Sequence, residues 1–423
     1  MKSMKNINFL NFYLFLLLTF QISHTAYSQQ SKTNMSGFNS IEMGEHEKFS
    51  TCQKYSDLAL KKNCRVGILS QSDKVLTNMR TIDASKKPLN LNFSKNTSQK
   101  IFNKVDEYIS KYPIMGFLVI KNGEIVVERF QYGRDQNMIF RGMSMSKTVT
   151  SILTGIAHSK GLIQSLDDKV EKYWPEIKKS PYGAVTIKEL LLMTSGVEGG
   201  SYNGFAASTG SGIFRELFGS KNPNNLIEYL NNINPNGIKG NFRYSNQDTE
   251  VLGRVLCKIT KKNISQLTSE WLWQPMGAKK NAKWWFSNTD KLELASTGIT
   301  ATLHDYGRLG ILLSNNGKYK NNQIIPEDFL VEATSVNKIP LSNHKVGSNP
   351  LSAGGYGYQV WLQSNKNRTF CLLGHYGQVI CVQPSSKIVM VQVAAGGHRF
   401  YQNGVFSLSY LWNDILEILG GTQ

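Results

Sequence analysis

Three short stretches of this chain carry the residue types needed for acyl transfer. The first is Ser144-Met145-Ser146-Lys147, at the start of a predicted helix. Residues three apart share a helical face, so the Ser144 hydroxyl and the Lys147 amine become neighbours. A Ser hydroxyl attacks poorly until a base takes its proton. Lys ordinarily holds its own proton, with a pKa of about 10.4; burial or a second cation disfavours the charged form and turns the amine into a base. The helix N-terminus adds a favourable field for an oxyanion. The second stretch is Tyr244-Ser245-Asn246, ahead of another predicted helix. A phenol beside an amine can relay a proton between nucleophile and leaving group. The Asn246 amide can hydrogen-bond the Lys and a substrate carbonyl. The third is His375-Tyr376-Gly377, followed by Gln378, just past a predicted strand over 369–373. Gly377 lets a substrate approach the strand edge, whose backbone N–H can donate to an oxyanion. His375 can orient a carboxylate or a water. Each stretch taken singly also has a plain structural reading: a chance S-x-x-K, a buried Tyr with an N-capping Asn, and a turn His at a hairpin corner.

The elements that must position these residues are legible. Ile101, Phe102, Val105, Tyr108 and Ile109 fall on one face of a helix beginning near Ser98. Asn122-Gly123, between β-rich flanks, marks a hairpin over 116–130. From Lys147 to about Leu313 the pattern is mostly helical. Thr186 and Glu189 form a capping box there, Gly196 is the expected stop of that helix, and another helix covers 250–259. Residues 199–222 are rich in Gly and Ser, a long loop over a site. Strand patterns return at 356–362, 369–373, 378–383 and 388–394, and an amphipathic helix closes the chain over about 405–419. A lone hairpin is only marginally stable, so the early and late strands must form one sheet. The expected fold is α+β: an antiparallel sheet flanked by N- and C-terminal helices, with a large, mainly helical insertion. The expected organisation is a leader over 1–28, an extension over 29–95, and a main domain over 96–423. That domain divides into a sheet lobe (about 96–143 and 330–423) and a helical lobe (about 144–329). A cleft between lobes is where a substrate would bind.

Composition narrows the partners. The chain has 423 residues, 40% of them hydrophobic, enough for a core and incompatible with global disorder. Its net charge of +18 suits peripheral contact with an anionic wall or membrane surface, although a bias toward Lys and Asn is the preferred explanation. The Lys residues are spread along the chain, with no zinc-finger spacing or RNP-type motif, so no nucleic-acid partner is expected. H-E-x-x-H and paired Cys-x-x-Cys patterns are absent, so neither a metal nor an organic cofactor is expected. Lys2 and Lys5, an apolar run from Phe9 to Phe20, and Ala26-Tyr27-Ser28 read as a secretory signal peptide cleaved before Gln29, which implies a periplasmic or secreted protein. Export permits disulfides. Cys52 and Cys64 can close a small loop, and hairpin pairing can bring Cys371 opposite Cys381. Cys257 is left over as a buried thiol in an apolar helical run.

Taken together, the three motifs resemble the serine β-lactamase and penicillin-binding protein superfamily. The similarity is greatest to the class C-like branch, which carries Y-x-N and includes 6-aminohexanoate-dimer hydrolase-like proteins, esterases and D-amino-acid peptidases. It extends over about residues 97–421. Gly161-Leu-Ile-Gln-Ser-Leu-Asp-Asp-Lys-Val170, Leu191-Leu-Met-Thr-Ser-Gly196, Gly298-Ile-Thr-Ala-Thr-Leu303, Gly355-Tyr-Gly-Tyr-Gln-Val-Trp361 and Gly374-His-Tyr-Gly-Gln378 all look like family segments. The resemblance implies that Ser144 is the acylated nucleophile and Lys147 its base partner, with Tyr244 sharing the proton work. Asn246, His375, Gly377 and Gln378 would bind substrate, and the backbone N–H groups of Ser144 and Gln378 would form the oxyanion hole. Many relatives carry Lys where His375 stands. His is a weaker, pH-dependent cation, which disfavours efficient β-lactam hydrolysis and favours an esterase or amidase acting on a small ester, amide or peptide. The rivals are a non-hydrolysing binding or sensor protein on the same fold, and a cell-wall DD-peptidase or β-lactamase.

Overall fold

A computed structural model describes residues 31–54, 56–197, 213–219, 222, 224–344, 349–365, 367–397 and 403–421. Its strands are β1 (Ser31–Met35), β2 (Met79–Ile82), β3 (Ile114–Lys121), β4 (Glu124–Gln131), β5 (Ile139–Arg141), β6 (Ala282–Trp285), β7 (Ile299–Thr302), β8 (Lys318–Tyr319), β9 (Asn322–Gln323), β10 (Gly355–Tyr356), β11 (Trp361–Leu362), β12 (Phe370–Gly374), β13 (Gln378–Gln383) and β14 (Ile388–Ala394). The helices that frame the site are α1 (Gln99–Ile109), α2 (Met145–Ser159), α3 (Ile187–Leu192), α4 (Asn246–Thr260), α5 (Leu303–Ser314) and α6 (Val405–Ile418).

The early and late strands do form one sheet. Its order is β1-β4-β3-β14-β13-β12-β11-β10. β3 and β14 join its two halves antiparallel, with Leu118 opposite Val391. The turn between β3 and β4 has Asn122 and Gly123 at φ of 51° and 83°, the left-handed pair that a two-residue hairpin requires. From Phe117 to Ile120 side chains alternate along β3, after a register shift beside Gly116. Ile114, Phe117 and Val119 enter one core with the apolar stripes of α1 and α6, including Val105, Leu408 and Trp412. Met115, Leu118 and Ile120 enter the other core, with Leu309 and Leu312 of α5 and the helical lobe. Each fully buried side chain of this size contributes about 1.5–3 kcal/mol, so the period-two pattern holds the sheet between two helical layers.

Several expectations need adjustment. The stretch read as helical from 147 to 313 also contains β6 and β7, which pair with β2 and β5 in a second sheet of order β2-β6-β7-β5. Trp284 is fully buried in it and donates its indole N–H to Leu294 O at 2.8 Å; aromatic residues favour pleated, half-buried surfaces. Of the segment over 29–95, β1 lies parallel to β4 and β2 pairs with β6, so these parts of the extension wrap onto the main domain. The strand expected at 356–362 is two short strands, since Gln359 at φ 60° turns the chain back on itself. Thr186 and Glu189 make both bonds of the capping box, but Met193, at φ 55°, ends α3, three residues ahead of Gly196. Residues 213–219 of the expected 199–222 loop are helical, and 198–212 lie outside the described residues, as does the leader. Cys52 is joined to Cys64, and Cys371 to Cys381 across the β12–β13 ladder.

Candidate active site

Ser144 stands where β5 gives way to α2. The chain is fixed on both sides of that corner. Gly142 N donates to Ile299 O on β7 at 2.8 Å, and the Tyr306 hydroxyl donates to Phe140 O at 2.8 Å. Gly142 must be glycine there, because a Cβ would come within 2.7 Å of the Tyr306 oxygen. Met143 adopts φ 50°, an unusual conformation for a residue with a side chain. Its carbonyl accepts from the Ser146 hydroxyl at 2.6 Å, and that hydroxyl accepts from Ile299 N at 3.0 Å. Ser146 therefore anchors the corner, and Ser144 is the half-buried hydroxyl left at its tip.

Lys147 is fully buried one turn below. Its Nζ lies 3.0 Å from Ser144 Oγ and donates to Ser296 O at 2.9 Å. The same Nζ lies 5.0 Å from the centroid of the Tyr244 ring. Residues far apart in sequence thus converge on one amine. Ser245, not Asn246, takes the N-cap of α4, accepting from Asp248 N. Asn246 follows in the first helical turn, its amide unused by the cap.

The Ser296 carbonyl is held by a buried charge cluster. Glu250, on α4, accepts from Ser296 N at 3.0 Å, from the Ser296 hydroxyl at 2.6 Å and from Ala295 N at 3.2 Å. Arg254 donates to Glu250 at 2.6 Å and to Asp290 at 2.9 Å. Burial works against the Arg254 charge, but Asp290 and then Glu250 outweigh it, so its pKa lies above the ordinary guanidinium value. One turn further along α4, burial pushes the Cys257 thiol up to about 12, which makes it an inert core side chain at neutral pH.

An aromatic wall adjoins the amine. Tyr244 stacks on Trp361 at 5.3 Å and meets Tyr356 edge-on at 5.9 Å. Phe242 packs on Tyr356 at 5.0 Å. Gln359 ties this wall to the helical lobe. Its carbonyl accepts from the Thr148 hydroxyl, its side chain bonds the Thr249 hydroxyl and Leu190 O, and its N–H donates to Leu191 O.

The third motif sits against the nucleophile corner. A Cβ on Gly374 would lie 2.4 Å from Gly142 O and 3.2 Å from Met143 Cβ. His375 is half-buried, and its ring meets Tyr376 at 4.3 Å. Tyr376 is buried at φ 66°, and Gly377 has φ 90°; the latter's carbonyl accepts from Gln392 Nε2 at 2.9 Å. The Gln378 side chain is committed to Ala394, donating to its carbonyl at 2.7 Å and accepting from its N–H at 3.2 Å. Any contact of Gln378 with substrate therefore falls to its main chain. Sequence reasoning had no role for Ser296, Glu250 or Trp361. A carbonyl acceptor is independent of residue type and leaves no sequence signal. Trp361 lay within a recognised segment but read only as a strand residue.

The comparisons with known proteins agree with this fold. A β-lactamase family model matches residues 102–403. The 6-aminohexanoate-dimer hydrolase of Paenarthrobacter ureafaciens is 21% identical over 289 residues, covering 66% of this chain and 72% of that protein. A β-lactamase of Escherichia coli (strain K12) is 24% identical over 192 residues, 41% of this chain and 47% of its own length. A solved structure from Bacillus anthracis, named as a candidate 6-aminohexanoate-dimer hydrolase, superposes with a TM-score of 0.68 at 22% identity, over 84% of this chain and 95% of that one. EstCE1, a hydrolase with promiscuous acyltransferase activity, gives 0.55 at 17% identity over 73% and 96%. Structural likeness at these identities speaks for the fold. The family match spans all three motifs, and on it this chain belongs to the β-lactamase family, within the serine β-lactamase and penicillin-binding protein superfamily.

Proposed function

We propose that this protein is an exported serine hydrolase that cleaves a small ester or amide through an acyl-enzyme on Ser144. The observation that carries the reading is Lys147 Nζ, fully buried, 3.0 Å from Ser144 Oγ with Ser296 O and the Tyr244 ring around it. In the neutral amine, the Ser296 carbonyl takes one N–H and the lone pair is left for the Ser144 proton. As that proton moves to Lys147, Ser144 Oγ bonds to the substrate carbonyl carbon. The negative charge forming on the carbonyl oxygen faces the N-terminus of α2 and the β12–β13 edge, where backbone N–H groups of Ser144 and Gln378 are the proposed donors. Collapse breaks the bond to the leaving alcohol or amine, which takes its proton from Lys147 or through the Tyr244 phenol. Water repeats the sequence on the acyl-enzyme and frees Ser144. The 6-aminohexanoate-dimer hydrolase matches over 66% of this chain and the β-lactamase over 41%, and His375 stands where many relatives carry Lys; together these support a small amide or ester over a β-lactam.

Ser144→Ala is expected to abolish labelling by a fluorophosphonate while leaving the melting curve intact. Labelling that persists in this variant excludes Ser144 as the nucleophile. Rates on p-nitrophenyl esters, 6-aminohexanoate dimer and nitrocefin then rank the substrate classes. Export is supported by the leader pattern and by two disulfides, which persist in oxidising compartments; mature protein beginning at Gln29 is the expected result of N-terminal sequencing.

A further inference from the structure

The third motif is met by a cation from the N-terminal segment. Arg65 opens the short helix Arg65–Ser70. Its guanidinium carbon lies 6.0 Å from the centroid of the Tyr376 ring. A Cβ on Gly397 would come within 2.4 Å of Arg65 Nη1, so the guanidinium lies against the chain leaving β14. Arg65 is pinned rather than trailing in solvent. Cys64, beside it, is joined to Cys52. The Arg65 Nε donates to Leu58 O at 3.2 Å. Gly67, two residues on, packs so closely on the Ser50 carbonyl that a Cβ would sit 2.1 Å from it.

This cation is also unneutralised. The acidic side chains Asp57 and Glu42 of the same segment pair with Lys61 and Lys62. Among the described residues no carboxylate lies within ion-pair distance of Arg65, which is half-exposed. A guanidinium presents a planar fork of donors that fits a carboxylate. The turn it reaches is the turn that carries His375, and Gly374 just before that turn touches residues 142 and 143, next to Ser144.

We infer that Arg65 is a specificity-determining residue that binds a carboxylate of the substrate at the His375 end of the site. The inference rests on the serine-hydrolase reading and names its substrate class: small esters or amides that carry a free carboxylate. The N-terminal segment and its Cys52–Cys64 link then serve to hold that cation in place.

The test compares Arg65→Gln and Arg65→Lys with the parent on matched substrates. One pair is 6-aminohexanoate dimer and its amide-capped form; the other is p-nitrophenyl hydrogen glutarate and p-nitrophenyl butyrate. A lost charge-assisted contact of this kind should lower the kcat/KM ratio of charged to neutral substrate about tenfold in Arg65→Gln, mostly through KM, with partial recovery in Arg65→Lys. An unchanged melting temperature shows that the segment stays docked. A ratio that stays constant, or a parent that hydrolyses the neutral ester yet never favours the carboxylate form, overturns the inference while leaving the hydrolase intact. A parent that hydrolyses nothing and takes no label at Ser144 overturns the hydrolase reading, and this inference with it.

Discussion

Lys147 touches every part of the proposed chemistry, and Glu250 decides where its acceptor stands. Two oxygens of one carboxylate hold three groups of the 295–296 turn, and that turn offers its carbonyl to the amine. Glu250 is therefore a positioning residue. Glu250→Gln keeps the shape but removes the charge opposite Arg254, and breaking a buried pair of this kind costs about 3–5 kcal/mol. The expected outcome is a lower melting temperature, together with a fall in kcat of roughly tenfold at little change in KM, because a misplaced base slows proton transfer more than binding. A purely structural role would lower the melting temperature and leave kcat per folded, Ser144-titrated molecule unchanged. The residues proposed for the chemistry were legible in the sequence because Ser, Lys and Tyr at fixed motifs would act through their side chains. Ser296 acts through its backbone, and Glu250 acts through Ser296, so neither was legible.

Strand β12 and the corner at 142–144 act as one element. They meet at Gly374, whose missing side chain lets the Gly142 carbonyl approach. Gly374→Ala would push a methyl group to 2.4 Å from that oxygen, so the strand or the corner must shift by a few tenths of an ångström or more. A misplacement of about 1 Å can cost about 100-fold in rate. The expected result is a loss of activity of that order with β-sheet circular dichroism preserved. Full activity in the variant would show that the β12 edge is not part of the site. Of the elements, α1, α6 and the β3–β4 hairpin followed from periodicity and turn chemistry, since local pattern and tertiary burial agree there. β6 and β7 did not, because each is only four residues long and gains its stability from β2 and β5, distant in sequence. Gln359 is a similar case. Its left-handed turn splits one expected strand into β10 and β11 and sets Trp361 against Tyr244, a geometry enforced by four hydrogen bonds to α2, α3, α4 and the end of α3.

At the scale of the whole molecule, two covalent links brace segments that lead to the third motif. Cys371–Cys381 staples the β12–β13 hairpin, with the paired residues directly across the ladder. Cys52–Cys64 closes a loop ahead of Arg65. Loops of this size stabilise by about 2–4 kcal/mol each when closed. Replacing Cys371 and Cys381 by Ala should lower the melting temperature by several degrees and loosen the third motif. Replacing Cys52 and Cys64 should instead leave neutral-ester hydrolysis near the parent level while reducing the preference for carboxylate substrates. Equal effects of the two replacements on that preference would contradict the separate roles.

Residue types, spacing and periodicity were sufficient for the hydrolase motifs, the antiparallel sheet between terminal helices and the helical lobe. Each of these is encoded locally, in a face three or four residues apart, an alternation of two, or a turn dipeptide. Folding in three dimensions alone chose the acceptor for Lys147, the aromatic neighbours of Tyr244 and the arrival of Arg65 at Tyr376. Those contacts join backbone carbonyls, ring faces and distant segments, whose meeting depends on how the two sheets and the lobe pack and on nothing that a linear pattern records.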